Sequence, residues 1–112
     1  MKVLVTGGAG FIGSHVVDKL VSQNHKVVVV DSLVSGFKSN VNKKAKLHKL
    51  DVRSKQLDKV FKSFKPDKVV HLAAQMNVRA SLEDPMNDAD VNIVGSLNIL
   101  NAAVNHKVKK FI

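Results

Sequence analysis

The sequence predicts a doubly wound α/β domain, a parallel sheet with helices on both faces, and three observations carry that prediction. Short, nearly continuous apolar runs recur along the 112 residues, at Val3-Leu4-Val5, Val27–Val30 and Val69-Val70. Strands that are apolar on both sides belong to sheets covered on both faces. These runs alternate with segments whose apolar residues fall at helical spacing, which implies right-handed β-α-β crossovers. A glycine-rich turn then joins the first strand to the first helix. The expected strand order is 3-2-1-4-5, with a crevice between strands 1 and 4.

Each element follows in turn. Lys2–Val5 forms the first strand. Ile12, Val16, Val17, Leu20 and Val21 mark a helix from Phe11 to about Gln23, and Asn24-His25 breaks it. Lys26–Val30 is the second strand, ending in Asp31, and residues 32–42, with Ser, Gly and Asn, form a loop or broken turn. Lys46–Leu50 is the third strand. Ser54 is placed to cap a helix reaching Phe64, with Leu57, Val60, Phe61 and Phe64 inward. Pro66-Asp67 turns into a fourth strand, Lys68–Leu72, and Gln75–Glu83 is expected to be a polar loop. Asp84-Pro85, an N-cap followed by proline, starts a helix to about Asn105. Its inward residues are expected to be Ala89, Ile93, Leu97, Leu100 and Val104. Lys109–Ile112 opens a fifth strand, in which the sequence ends.

Composition bounds the function. The chain is 45% hydrophobic and 24% charged, with no cysteine, so there is no disulfide framework or thiolate metal site. No apolar run approaches the ~20 residues of a membrane span, and Met1-Lys2 leads directly into the first strand without a targeting segment. A cytoplasmic protein without membrane contact is expected. Of the net charge of +9, residues 38–68 hold +8, from ten lysines and Arg53 against Asp51, Asp58 and Asp67. That spacing reads as a solvated helix face and its flanking loops. With two arginines, no tyrosine and no tryptophan, the chain lacks the usual means of reading bases, and nucleic acid is not expected as a partner.

The chemistry lies in the turn. Gly8-x-Gly10-x-x-Gly13, or in another register Gly7-x-x-Gly10-x-x-Gly13, follows a strand and opens a helix. Glycine permits positive φ and close approach of backbone N–H groups to a phosphate, and the helix N-terminus adds unpaired donors. Asp31, eighteen residues beyond Gly13 at the end of strand 2, is placed to accept hydrogen bonds from the adenosine ribose hydroxyls. These features predict a Rossmann-type site for a dinucleotide. The Asp31 carboxylate repels a 2′-phosphate, so NAD is favoured over NADP. Replacing Asp31 with Ala is expected to weaken NAD binding and leave the fold intact. Ser32, Ser35 and Gly36 either line the adenosine side or form a plain loop. Asp51 either accepts from the adenine amine, with Val52 on the ring, or is a helix N-terminal charge. Leu72-Ala73-Ala74 either admits the cofactor or makes a close core contact.

None of the five histidines has a catalytic or ligand partner at a diagnostic spacing. His71 reads as a packed core histidine, and His15, His25, His48 and His106 as helix or loop residues. Glu83, Asp84, Asp88 and Asp90 read as acids near a helix start rather than a metal site. No catalytic residue and no metal ligand is assigned.

Five ordered stretches together resemble the extended short-chain dehydrogenase/reductase superfamily, in particular its NAD-dependent nucleotide-sugar epimerases and dehydratases. They are Thr6–His15, Val30–Leu33, Leu50–Arg53, Val70–Gln75 and Asn92–Leu100. The wording is most similar to UDP-glucose 4-epimerase-like members. The resemblance implies pyrophosphate binding by Gly7, Gly10, Phe11, Ile12 and Gly13. It further implies ribose contacts from Asp31 and Ser32, and adenine contacts from Asp51 and Val52. Leu72, Ala73, Ala74 and Asn92 would lie along the adenosine-to-nicotinamide span, and Gln75–Ser81 would begin the sugar-facing loop. Met76 stands where some epimerases carry lysine. The family's Tyr-x-x-x-Lys pair has no counterpart here, since the chain has no tyrosine. The chain is therefore expected to be the NAD-binding part of a longer, homodimeric enzyme acting on a nucleotide sugar, inactive alone. The alternative is a stand-alone NAD-binding or interaction module that needs a partner chain.

Overall fold

Successive side chains of a strand point to opposite faces, so the valine-rich runs divide the core in two. Val3, Val5, Val27 and Val29 face one side with Val17, whereas Leu4, Val28, Val30 and Val69 face the other. The computed structural model describes residues 1–112. Its strands are β1 (Lys2–Thr6), β2 (Lys26–Asp31), β3 (Lys46–Lys49), β4 (Lys68–His71) and β5 (Lys110–Phe111). All pairs are parallel, in the predicted order β3-β2-β1-β4-β5. At the centre of the sheet Val5 sits between Val29 and Val70, and Leu4 between Val28 and Val69.

Helix α1 (Phe11–Ser22) covers the first face through Val17, Leu20 and Val21. Asn24, with φ 66°, reverses the chain after it. Helix α2 (Leu57–Phe64) covers the second face through Leu57, Val60 and Phe61, with Phe64 at its margin. Three further helices follow: α3 (Val78–Glu83), α4 (Pro85–Ala89) and α5 (Gly95–Asn105). One wider turn, Asp90–Val94, links α4 to α5; there the Gly95 N–H bonds the Asp90 carbonyl. No helix is long and apolar enough to cross a membrane.

Four expectations change. Residues 78–83 are helical rather than loop, because the Asn77 side chain accepts from the Ala80 N–H at 3.0 Å and caps them. Ser54 does not cap α2; its hydroxyl accepts from the Gln56 N–H in the preceding turn, and the helix begins later. His48 lies on β3. The long C-terminal helix buries Gly95, Ile99, Ala102 and Ala103, whereas Ile93, Leu97, Leu100 and Val104 face outward. Small residues let α5 lie close to Val52 and the sheet, so the larger apolar stripe is the one left outside.

Candidate functional site

β1 and β4 are neighbours, and the chain leaves them toward opposite faces of the sheet, so a crevice opens beyond their carboxyl ends. The glycine turn forms one wall. Gly7 has φ +73°, a backbone conformation that favours glycine, and a Cβ there would lie 2.8 Å from the Ala73 nitrogen. A Cβ on Gly13 would lie 2.0 Å from the Gly7 carbonyl oxygen, and one on Gly8 would strike Val29. Gly10 differs. Its backbone is extended, and a Cβ would meet nothing nearer than the Gly7 oxygen at 3.4 Å, an ordinary contact. The protein itself has no need of glycine at position 10.

The first bond of α1 is Ser14 N–H to the Gly10 carbonyl, at 3.0 Å. The N–H groups of Phe11, Ile12 and Gly13 have no partner in the protein, and no side chain caps the helix. Three aligned donors at the positive end of a helix, fronted by a glycine with open space before it, suit an anion such as a pyrophosphate.

Asp31 is buried at the end of β2, where one carboxylate oxygen accepts from Ala9 N–H at 2.9 Å and the other from Leu33 N–H at 2.8 Å. The first bond ties the glycine turn to β2, and the second holds Leu33 at φ 63°. Each oxygen keeps a further lone pair for an incoming hydroxyl. The expected fold-neutral Asp31→Ala is therefore corrected, since that change also orphans two backbone donors. Gly36 packs on Ala9, where a Cβ would meet backbone at 2.8 Å, and so closes the loop over the turn. Ser32 is half-buried with a weak 3.5 Å contact to Val34 N–H, and Ser35 is exposed.

Asp51 is held in a two-pronged pair by Arg53, Nε to Oδ1 at 2.9 Å and Nη2 to Oδ2 at 2.7 Å. That hydrogen bonding keeps its pKa below the ordinary carboxylate value. Arg53 also reaches Asp90 at 2.8 Å, joining the loop after β3 to the turn before α5. The Val52 side chain is buried against Gly95, so a ring cannot stack broadly on it as expected; its backbone N–H, however, is unpartnered. Asp51 and Val52 thus present an acceptor beside a donor, the complement of the adenine amine and N1. Asn98 fixes this loop by donating to the Val52 and Ser54 carbonyls. Sequence reading missed Arg53, Asp90 and Asn98 as a clamp, although Arg53 stands only two residues from Asp51.

On the opposite wall, Leu72 is partly exposed, Ala73 half-buried and Ala74 exposed. Asn92 is fully engaged. Its Oδ1 accepts from Gln75 N–H at 2.7 Å, and its Nδ2 donates to the Gln75 carbonyl and to Asp88. It supports the wall rather than offering its amide to a ligand. His71 is half-buried between Thr6 and Ser96, and burial lowers its pKa. Asp84 caps α4, Asp88 accepts from Gln75 and Asn92, and Asp90 pairs with Arg53.

Comparison with known proteins agrees with this geometry. The sequence model of the NAD dependent epimerase/dehydratase family matches residues 3–112. A putative UDP-glucose 4-epimerase of Methanocaldococcus jannaschii is 46% identical, over 98% of this chain and 36% of that protein. The UDP-glucose 4-epimerase of Mycolicibacterium smegmatis is 41% identical, over 100% of this chain and 37% of that protein. Among solved structures, the Thermotoga maritima UDP-glucose 4-epimerase with UDP-glucose superposes with a TM-score of 0.97 at 46% identity. The Thermus thermophilus enzyme in complex with NAD gives 0.95 at 45%. Each covers 99% of this chain, which in turn spans 36% of theirs.

Proposed function

The chain belongs to the NAD dependent epimerase/dehydratase family, and on that premise we propose that it is the NAD-binding portion of a nucleotide-sugar epimerase of the UDP-glucose 4-epimerase type. The observation that carries this reading is the trio of unpartnered N–H groups at Phe11, Ile12 and Gly13 behind Gly10. They receive the pyrophosphate, with Gly7 shaping the turn. The remaining lone pairs of Asp31 take the adenosine ribose hydroxyls, beside Ser32, Ser35 and Gly36. Asp51 and the Val52 N–H take the adenine edge. Leu72, Ala73 and Ala74 line the path to the nicotinamide, with Asn92 holding that path in shape.

When bound, NAD supplies a nicotinamide able to accept and return hydride. This chain's residues bind and orient it; with no tyrosine among the 112 residues, they hold no counterpart of the family's proton-moving Tyr-x-x-x-Lys pair. The nucleotide sugar belongs beyond Ala74, beside Gln75–Ser81. The exposed stripe Ile93, Leu97, Leu100 and Val104 supports self-association of the whole protein. A cytoplasmic location completes the reading, supported by a cysteine-free composition.

Calorimetric titration of the chain with NAD and NADP tests the proposal. NAD is expected to bind, and NADP about tenfold or more weakly, because its 2′-phosphate meets the Asp31 carboxylate. No binding of NAD at millimolar concentration overturns the reading, and equal affinity for the two removes Asp31 from the ribose site.

A further inference from the structure

Thr6, His71, Ser96 and Asn92 form one hydrogen-bonded chain along the crevice, and its donors and acceptors admit a single assignment. The Thr6 hydroxyl oxygen accepts from Leu72 N–H at 3.0 Å and from Ala73 N–H at 3.1 Å. The Leu72 N–H is shared with the Thr6 backbone carbonyl at 3.2 Å. The Ser96 proton is committed to the Asn92 carbonyl, so Ser96 can only accept from the ring and the Thr6 proton goes to His71 Nδ1, 2.6 Å away. The ring proton therefore sits on Nε2, which donates to Ser96 Oγ at 3.1 Å. Ser96 in turn donates to the Asn92 carbonyl at 2.6 Å, and the Asn92 amide grips Gln75 through both its N–H and its carbonyl.

We propose that His71, as the neutral Nε2–H tautomer, is a positioning residue for NAD: it locks the Leu72-Ala73 end of β4 and the Gln75 loop into the shape that receives the nicotinamide half, without touching the cofactor. The inference rests on the NAD-binding reading above. Two features make the lock matter. Residues 72–94 bury no side chain, so apolar packing does not hold them. Gly7 lies so close to Ala73 that a Cβ would not fit between them, so any shift of Ala73 reaches the glycine turn.

A protonated His71 would bring a third N–H donor to the Thr6 hydroxyl, which already accepts from Leu72 and Ala73. The side chains facing the ring are uncharged: Thr6 from β1, Ser96 from α5 and the Phe111 ring from β5, 6.0 Å away. The charged group beside His71 in the 112-residue chain is the Ile112 carboxyl, whose oxygen accepts from the His71 backbone N–H at 2.7 Å. Lys68 and Lys110 alternate onto the other sheet face, and Asp88 joins only through Asn92 and Gln75. Burial lowers the His71 pKa from 6.5. NAD that prefers the neutral ring must bind fully above that lowered pKa and lose affinity as pH falls through it.

The test combines ring-nitrogen NMR of the 112-residue chain from pH 8 to pH 4.5 with NAD titrations over the same range. His71→Asn keeps an acceptor oxygen near the Nδ1 position and cannot take a proton. His71 is expected in the Nε2–H tautomer, titrating below its ordinary value, with wild-type NAD affinity falling about tenfold across that titration. In His71→Asn the affinity should stay within about twofold over the range. An Nδ1–H tautomer, or an equal acid loss in wild type and variant, overturns the role of His71; the tautomer measurement decides this even if the variant fails to fold. NAD binding that is unchanged as His71 titrates removes the positioning role alone. No NAD binding at pH 7.5 removes the cofactor reading itself, and the positioning role with it.

Discussion

On one side of the crevice the glycine turn is fixed by close packing and a buried carboxylate: Gly13 against Gly7, Gly8 against Val29, Asp31 on Ala9. On the other side, residues 72–94 bury no side chain and hang on polar bonds among Thr6, His71, Ser96, Asn92, Gln75 and Asp88. A ligand spanning both meets one preformed surface and one whose shape depends on a few side chains. Substitutions on the packed wall should therefore cost global stability, and those on the polar wall should act locally.

Gly13→Ala sharpens that contrast most. Its Cβ would lie 2.0 Å from a backbone oxygen that cannot move without the turn. A loss of ~3 kcal/mol or more is expected in thermal or denaturant unfolding; a near wild-type transition would break the comparison. Asp31→Ala comes next, leaving Ala9 and Leu33 N–H groups without their acceptor. About 2–3 kcal/mol of stability should go with NAD affinity, whereas an unchanged melting temperature would mean the carboxylate does not anchor the turn.

Asn92→Ala probes the polar wall and should be milder, ~1 kcal/mol at most in global unfolding. Hydrogen exchange should nevertheless speed up at Gln75 and through residues 78–94, with the β-sheet amides unaffected. Protection lost evenly over the whole chain would show that the two walls are one cooperative unit.

The same contrast governs what was legible in the sequence. Packing against a parallel sheet leaves a strong pattern, so the valine runs, the strand order and the glycine turn were readable. Asp84-Pro85 was readable as well, because capping is local chemistry. The polar wall left fainter marks. A six-residue exposed helix such as α3 carries just two apolar residues at helical spacing, Val78 and Leu82, both facing outward, with Asn77 as its cap. Periodicity in the C-terminal helix revealed an apolar stripe but not its partner, and the small residues Gly95, Ala102 and Ala103 took the sheet-facing side. At the site, residue type pointed to Asp31 and Asp51 as ligand contacts. Of their protein partners, Leu33 N–H and Arg53 are local, each two residues along the chain, whereas the Ala9 N–H is brought to Asp31 by tertiary placement.

The central claim is that the uncapped start of α1 is shaped for an anion rather than for the protein's own packing. Gly10→Ala tests it most directly, with the melting temperature and NAD affinity measured on the same sample. Because a Cβ there meets only an ordinary 3.4 Å contact, the fold should lose no more than ~1 kcal/mol, the cost of alanine at an N-cap. NAD affinity should fall about tenfold or more as the methyl enters the pyrophosphate's space. A stable variant that binds NAD as tightly as wild type would contradict the account.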